Sequence, residues 1–252
     1  MNAPPNTNPV RSIPRLSEAT IRDAFNAHWN VYVMRKGWSI AHRCDCYRLA
    51  HRAFDPARPD PEAFRQLYRE IGWGWQAFRP GYKPNWSHAE TFGRMLAFPA
   101  DARNMALTAL DSARVERLRP VVNGLAGLKR TGSGPSLVAM SKFLHFWNPS
   151  LFVIVDSIIR QCLERLHLVP VPGAFDPNSY TQFLDWCGRL MRDNPAIQRC
   201  FVAYYRERAG SETAGLPVEC FEAAAAECLL LGLAELPTNA LVSPCPPRGA
   251  PA

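Results

Sequence analysis

Leu128 to Arg165 reads LKRTGSGPSLVAMSKFLHFWNPSLFVIVDSIIRQCLER, and three pieces follow one another in it. Gly132-Ser133-Gly134 is a turn whose glycines have access to positive φ. Pro135 to Phe146 carries Leu137, Met140, Phe143 and Leu144 at helical spacing, and Pro149 stops that helix. Leu151 to Val155 is apolar and β-branched but too short to support a sheet when no other segment alternates. It reads as a buried extended link into Asp156, which directly starts another helix. A glycine turn that opens a helix exposes backbone N–H groups at an N-terminus, where phosphate binds well. Lys129 and Arg130, just upstream, add cationic side chains. The order can bring one carboxylate beside a nucleic-acid backbone.

Outward from this stretch the pattern stays helical. Ser17 caps a first helix through Ile21, Phe25 and Trp29 that stops near Gly37. Further helices are predicted over Arg43 to Phe54, Pro61 to Phe78, Ala89 to Phe98 and Asp101 to Leu118, with Pro120 interrupting the chain before a short Val121 to Leu128 segment. GYKPNW, at residues 81–86, is a turn. After Asp156 the expected helices are Ser157 to Leu166, Ser179 to Arg192, Pro195 to Ala209 and Val218 to Leu233. The fold class is therefore all-α, and we expect a two-lobed helical domain over residues 16–235. Residues 1–15 and 236–252, rich in Pro, Asn and small side chains, read as disordered tails.

The 252 residues are enough to bury a sizeable core. At 47% hydrophobic and 20% charged residues the chain has a globular composition, not a disordered one. A net charge of +7 fits an anionic partner. The excess of 25 Arg over four Lys carries no functional reading of its own. No apolar run reaches the roughly 18 to 20 residues that span a bilayer. Eight scattered cysteines and no signal peptide at the start suggest reduced thiols and a cytoplasmic location, and we expect no membrane partner and a monomer.

Gly132-Ser133-Gly134-Pro135-Ser136, then a helix, then Phe152-Val-Ile-Val-Asp156-Ser-Ile-Ile-Arg160 resembles the hairpin and catalytic-aspartate segment of the helix-hairpin-helix DNA glycosylase superfamily, with its 8-oxoguanine/adenine glycosylase-like fold. The resemblance covers about 38 residues. It implies that Gly132 and Gly134 grip a DNA backbone and that Asp156 promotes loss of a flipped base. Bifunctional members carry a Schiff-base lysine two residues after the second hairpin glycine. Ser136 stands there, which resembles the monofunctional, adenine-excising type. The chain departs from the family in placing Leu128 four residues before Gly132, where the hairpin leucine usually stands two before. The compact four-cysteine cluster of the iron-sulfur members also has no counterpart among Cys187, Cys200, Cys220 and Cys228.

The chemistry asked of Asp156 is simple. Cleaving an N-glycosidic bond develops oxocarbenium charge at C1′, which a carboxylate stabilises once the base has left the stack. As an N-cap the same residue contributes about 1 kcal/mol to helix stability, and the two roles are compatible. Lys142 lies in an apolar helix, where an amine can become an imine-forming nucleophile. It sits six residues past Ser136, rotated by roughly 240° on a helix of 3.6 residues per turn, so it does not simply substitute for a lysine there. His145 can share the face of Lys142, as a core histidine or as a base. His42, Cys44, Cys46 and His51 offer zinc ligands at a spacing that matches no usual finger. Trp73, Trp75, Phe78, Tyr82 and Trp86, interleaved with Arg79 and Lys83, supply core packing or a base-stacking wall.

The expected function is thus duplex-DNA binding with Asp156-assisted hydrolysis of a base, without metal or organic cofactor. Lys129, Arg130, Gly132, Gly134 and Ser136 would hold DNA, with Lys142 and His145 as further catalytic candidates. A non-catalytic DNA-binding or interaction protein that keeps the hairpin fold is the alternative. An open, base-sized pocket beside Asp156 would favour the enzyme, and a filled one the binder.

Overall fold

The computed structural model describes residues 15–78, 83–128, 130–131, 134–166 and 177–237. Eleven α-helices are found among them: α1 (Glu18–His28), α2 (Ile40–Ala53), α3 (Pro61–Arg69), α4 (His88–Leu96), α5 (Ala100–Arg103), α6 (Ser112–Ala126), α7 (Leu137–Trp147), α8 (Ser157–Arg165), α9 (Pro177–Asp193), α10 (Ala196–Ala209) and α11 (Glu222–Leu233). The all-α reading holds. The one ladder among the described residues pairs β1 (Arg130–Thr131) antiparallel with β2 (Gly134–Pro135).

Helix starts follow side-chain chemistry. Ser17, Ser39, Asp60, Asp111, Ser136 and Asp156 each accept a hydrogen bond from a backbone N–H of the first turn, and Ser87 with Glu90 closes a full capping box. The helices share one continuous hydrophobic cluster. At its centre α11, buried along its whole length, packs on α1, and α1 also packs on α10. Gly232 permits that contact, because a Cβ there would overlap the Ala24 carbonyl.

The segment 101–118 corrects the sequence reading, which made it one helix. It breaks after Arg103, passes through a 3₁₀ turn (Leu107–Ala109) and restarts at Ser112. Tertiary bonds replace the helical ones there. Asn148 Nδ2 donates to the carbonyls of Ala102 and Met105, Leu107 N donates to Ser150 O, and Thr108 donates to Glu222. Pro120 does not interrupt the chain as expected but lies inside α6. A proline there forfeits one hydrogen bond, and burial of Leu118, Val121, Val122 and Leu125 around it offsets the loss. At the C-terminal boundary, Leu236 still packs against the core, one residue beyond the expected limit.

Leu151 to Val155 is, as predicted, a buried extended link. Side chains satisfy its backbone in place of a sheet. His145 Nδ1 donates to Phe152 O at 2.7 Å, Tyr180 Oη donates to Val153 O at 2.9 Å, and Val155 N donates to Ser141 Oγ at 3.1 Å. Two π-helical turns, Trp29–Arg35 after α1 and Glu70–Gly74 after α3, widen the ends of those helices. Both run into the cleft described next.

Candidate functional site

A cleft of about 720 Å³ opens where these pieces meet. Its wall takes Val33, Lys36 and Gly37 from beyond α1, Gly74, Trp75 and Gln76 from beyond α3, and the first turns of α2, α7 and α8. Gln76 holds a positive φ of 53°, a conformation rare outside glycine. Trp38 and Trp75 supply aromatic surface, and Arg43, Lys142, Asp156 and Glu227 supply charge.

Asp156 is half-buried on this wall. Its Oδ1 accepts from Ile158 N at 2.9 Å and Ile159 N at 3.0 Å, which fixes the carboxylate over the first turn of α8. Ser136 also reaches the cleft and caps α7 through Ala139 N. Lys142, six residues along the same helix, is buried at 7% exposure and its Nζ donates to Trp75 O. The rotation argued from sequence therefore does not separate the two, because the cleft runs along α7 and takes both. The closure of the Trp75 loop over α7 gives the ammonium its place.

His145 lies elsewhere. It is fully buried and not among the residues lining the cleft. Its Nδ1 donates to Phe152 O, so its Nε2 is the acceptor for Tyr47 Oη at 2.8 Å and Arg43 Nη2 at 3.1 Å. Burial, then the charge of Arg43, holds its imidazole well below the usual range despite the bond to Phe152 O. A neutral ring with both nitrogens engaged positions the link that leads to Asp156.

Arg43 and Glu227 were not found from sequence. Arg43 Nη2 meets Glu227 Oε2 at 2.6 Å, with both side chains nearly inaccessible, while Arg43 Nε donates to Tyr47 Oη at 2.9 Å. Burial raises the carboxyl of Glu227, and the guanidinium opposes that. Burial likewise works against the charge of Arg43, but Glu227 and its other neighbours keep it firmly cationic. Glu227 had left a trace in the sequence as a charge inside the apolar run AAAAECLLLGL. Arg43, within HRCDC, had not. His28 is a second omission. It lines the cleft at 4% exposure, its Nδ1 meets Tyr204 Oη at 2.8 Å, and its Nε2 is buried with no hydrogen-bond partner among the described residues. Burial, then Arg43, lowers its pKa to about 3.

The other sequence candidates scatter. Lys129 and Gly132 lie outside the described residues, and Arg130 and Gly134 are described by their place in the ladder alone. His42 bonds Glu70 at 2.8 Å, Cys44 Sγ lies 3.9 Å from Tyr205 Oη, and burial pushes the Cys46 thiol up to about 12. Among the described residues no group of three or more His, Cys, Asp or Glu side chains could hold a metal ion. Of the aromatic stretch, Trp75 lines the cleft, Phe78 stacks with Phe143, Trp86 lies under Arg94 and Trp73 is 64% exposed, while Tyr82 is outside the described residues. No helix among the described residues is long and apolar enough to cross a membrane.

Comparison of the chain with protein-family models, with curated proteins and with solved structures gives no match.

Proposed function

We propose that this protein binds duplex DNA and hydrolyses the N-glycosidic bond of an extruded base, with Asp156 beside the scissile bond. The observation that carries the reading is the position of Asp156 on the wall of an open cleft of about 720 Å³. That volume falls within the roughly 300 to 1,000 Å³ typical of small-molecule sites, ample for one base and its sugar. In this reading the cleft lies between two lobes, and the ladder of Arg130–Thr131 with Gly134–Pro135 is the hairpin that holds the strand.

The steps follow from the groups present. Trp38 and Trp75 offer faces on which an extruded base stacks. The C1′–N bond breaks and its electron pair leaves with the base. The Asp156 carboxylate stabilises the oxocarbenium charge at C1′, water adds there, and its proton passes to the departing base. Lys142 and the Arg43–Glu227 pair set the field around that charge. The open cleft favours this enzyme over a binder that keeps the fold with its pocket filled.

Single-turnover cleavage of duplexes carrying oxidised, alkylated, deaminated or mismatched bases, developed with alkali to reveal abasic sites, tests the reading. Asp156→Asn keeps a good cap, so it should fold normally while losing at least about 100-fold in rate. An unchanged rate in that variant, or no cleavage of any duplex by the wild-type protein, overturns the proposal.

A further inference from the structure

Four basic side chains, Lys36, Arg43, Lys142 and Arg160, face the cleft against two carboxylates, Asp156 and Glu227. Arg43 is spent on Glu227, and Lys142 is held by Trp75 O. Lys36 and Arg160 differ: among the described residues neither has an acidic partner, and the Nε of Arg160 is buried without a hydrogen bond. Lys36 is nonetheless anchored, with its Nζ 4.1 Å from the centre of the Tyr32 ring. Most other arginines here close ion pairs of their own, for example Arg22 with Glu18 and Arg65 with Glu62. An uncompensated pair of cations at one cavity is therefore a local feature, not a consequence of the overall charge.

The backbone adds to the same field. Ser39, Ser136 and Asp156, the caps of α2, α7 and α8, all line this cleft, so three helices of 14, 11 and 9 residues direct their N-termini at it. Each terminus carries about half a positive charge. One carboxylate, Asp156, does not offset three termini and two cations. The unpartnered Nε2 of His28, buried in the same wall, is a further polar group that a ligand would satisfy.

We propose that Lys36 and Arg160 form a phosphate subsite inside the cleft, which holds the phosphate next to the nucleotide whose sugar faces Asp156. This rests on the proposed function and deepens it, because the site then takes a phosphorylated nucleotide in preference to a free base or nucleoside. A phosphodiester of a strand and the phosphomonoester of a free nucleotide share the chemistry, and the experiment separates them.

Binding of a labelled duplex containing one tetrahydrofuran abasic analogue is followed by anisotropy from about 50 to about 200 mM salt, for wild type, Lys36→Gln, Arg160→Gln and the double variant. In parallel, a deoxynucleoside 5′-monophosphate and the matching nucleoside are titrated against the fluorescence of Trp38 and Trp75. Each single substitution should weaken duplex binding about tenfold at low salt, and each should lower the slope of log affinity against log salt by about one. A double variant with an unchanged slope overturns the phosphate subsite while leaving DNA binding intact. Monophosphate quenching that depends on Lys36 and Arg160, with no duplex binding or cleavage, upholds the subsite and overturns the glycosylase. Equal response to nucleoside and monophosphate, or none to any probe, overturns the subsite.

Discussion

His28 and His145 make stability depend on pH at the upper end of the acidic range. Both imidazoles are buried, His28 with its pKa lowered to about 3 and His145 well below its ordinary value, in each case first through burial and then through Arg43. In the unfolded chain both return to about 6.5. As pH falls below that value the unfolded chain takes up two protons that the folded protein does not, so the equilibrium moves towards unfolding. Their contribution is complete above the unfolded value and is lost as pH falls. Between pH 7 and pH 5 His28 should remove about 2 kcal/mol, and His145 adds to the loss in the same direction. Against a total of roughly 5 to 15 kcal/mol this is a large part. Urea titrations at half-unit steps of pH read it directly, and with a slope of about 2 to 3 kcal/mol/M the midpoint should fall by at least about 0.7 M. The double variant His28→Phe, Tyr204→Phe removes one histidine together with its hydrogen-bond partner and keeps the ring stacking, so about 2 kcal/mol of the dependence should disappear. Flat stability between pH 7 and pH 5 would refute the reasoning.

Removing Glu227 by an alanine substitution leaves Arg43 buried with only neutral partners, and we expect a loss of about 3 to 5 kcal/mol by urea titration, whereas Arg43→Met with Glu227→Leu together should recover most of it. A single variant within 1 kcal/mol of wild type would contradict a charged pair. Gly232→Ala, a favourable change for a helix in isolation, should destabilise the protein by more than about 1 kcal/mol because α1 must move off α11; a raised melting temperature would mean the contact is not close. Lys142 is held by its hydrogen bond to Trp75 O, so borohydride added during base excision should trap no covalent adduct. An adduct that disappears in Lys142→Gln would make Lys142 the nucleophile.

The local patterns were legible wherever short-range physics decides the outcome. Ser17 and Asp156 cap helices as their side chains require, whereas the helix expected from Pro135 starts at Leu137, with Ser136 as its cap and Pro135 in the ladder; the apolar spacing of residues 137–146 and 179–192 gives helices in place. The link Leu151 to Val155 was legible too, because five consecutive apolar residues after a proline break leave it no exposed face. Reading failed where distant groups outbid the local choice. Asn148, Ser150 and Glu222 draw the backbone of residues 102–108 out of a helix, and burial around Pro120 carries α6 through a residue that usually ends one.

The site divides along the same line. The sequence by itself determined the all-α class, the caps at Ser17 and Asp156 and the candidacy of Asp156, since these depend on residues within a few positions of one another. Tertiary structure alone decided that Asp156, Lys142, Ser136, Lys36 and Arg160 share one cleft, that His145 lies off it, and that Arg43 meets Glu227 across 184 residues of chain. Such pairings arise from how α1, α2, α7, α8 and α11 stack. The stacking maximises buried apolar surface summed over the whole core, and no local window of sequence contains that sum.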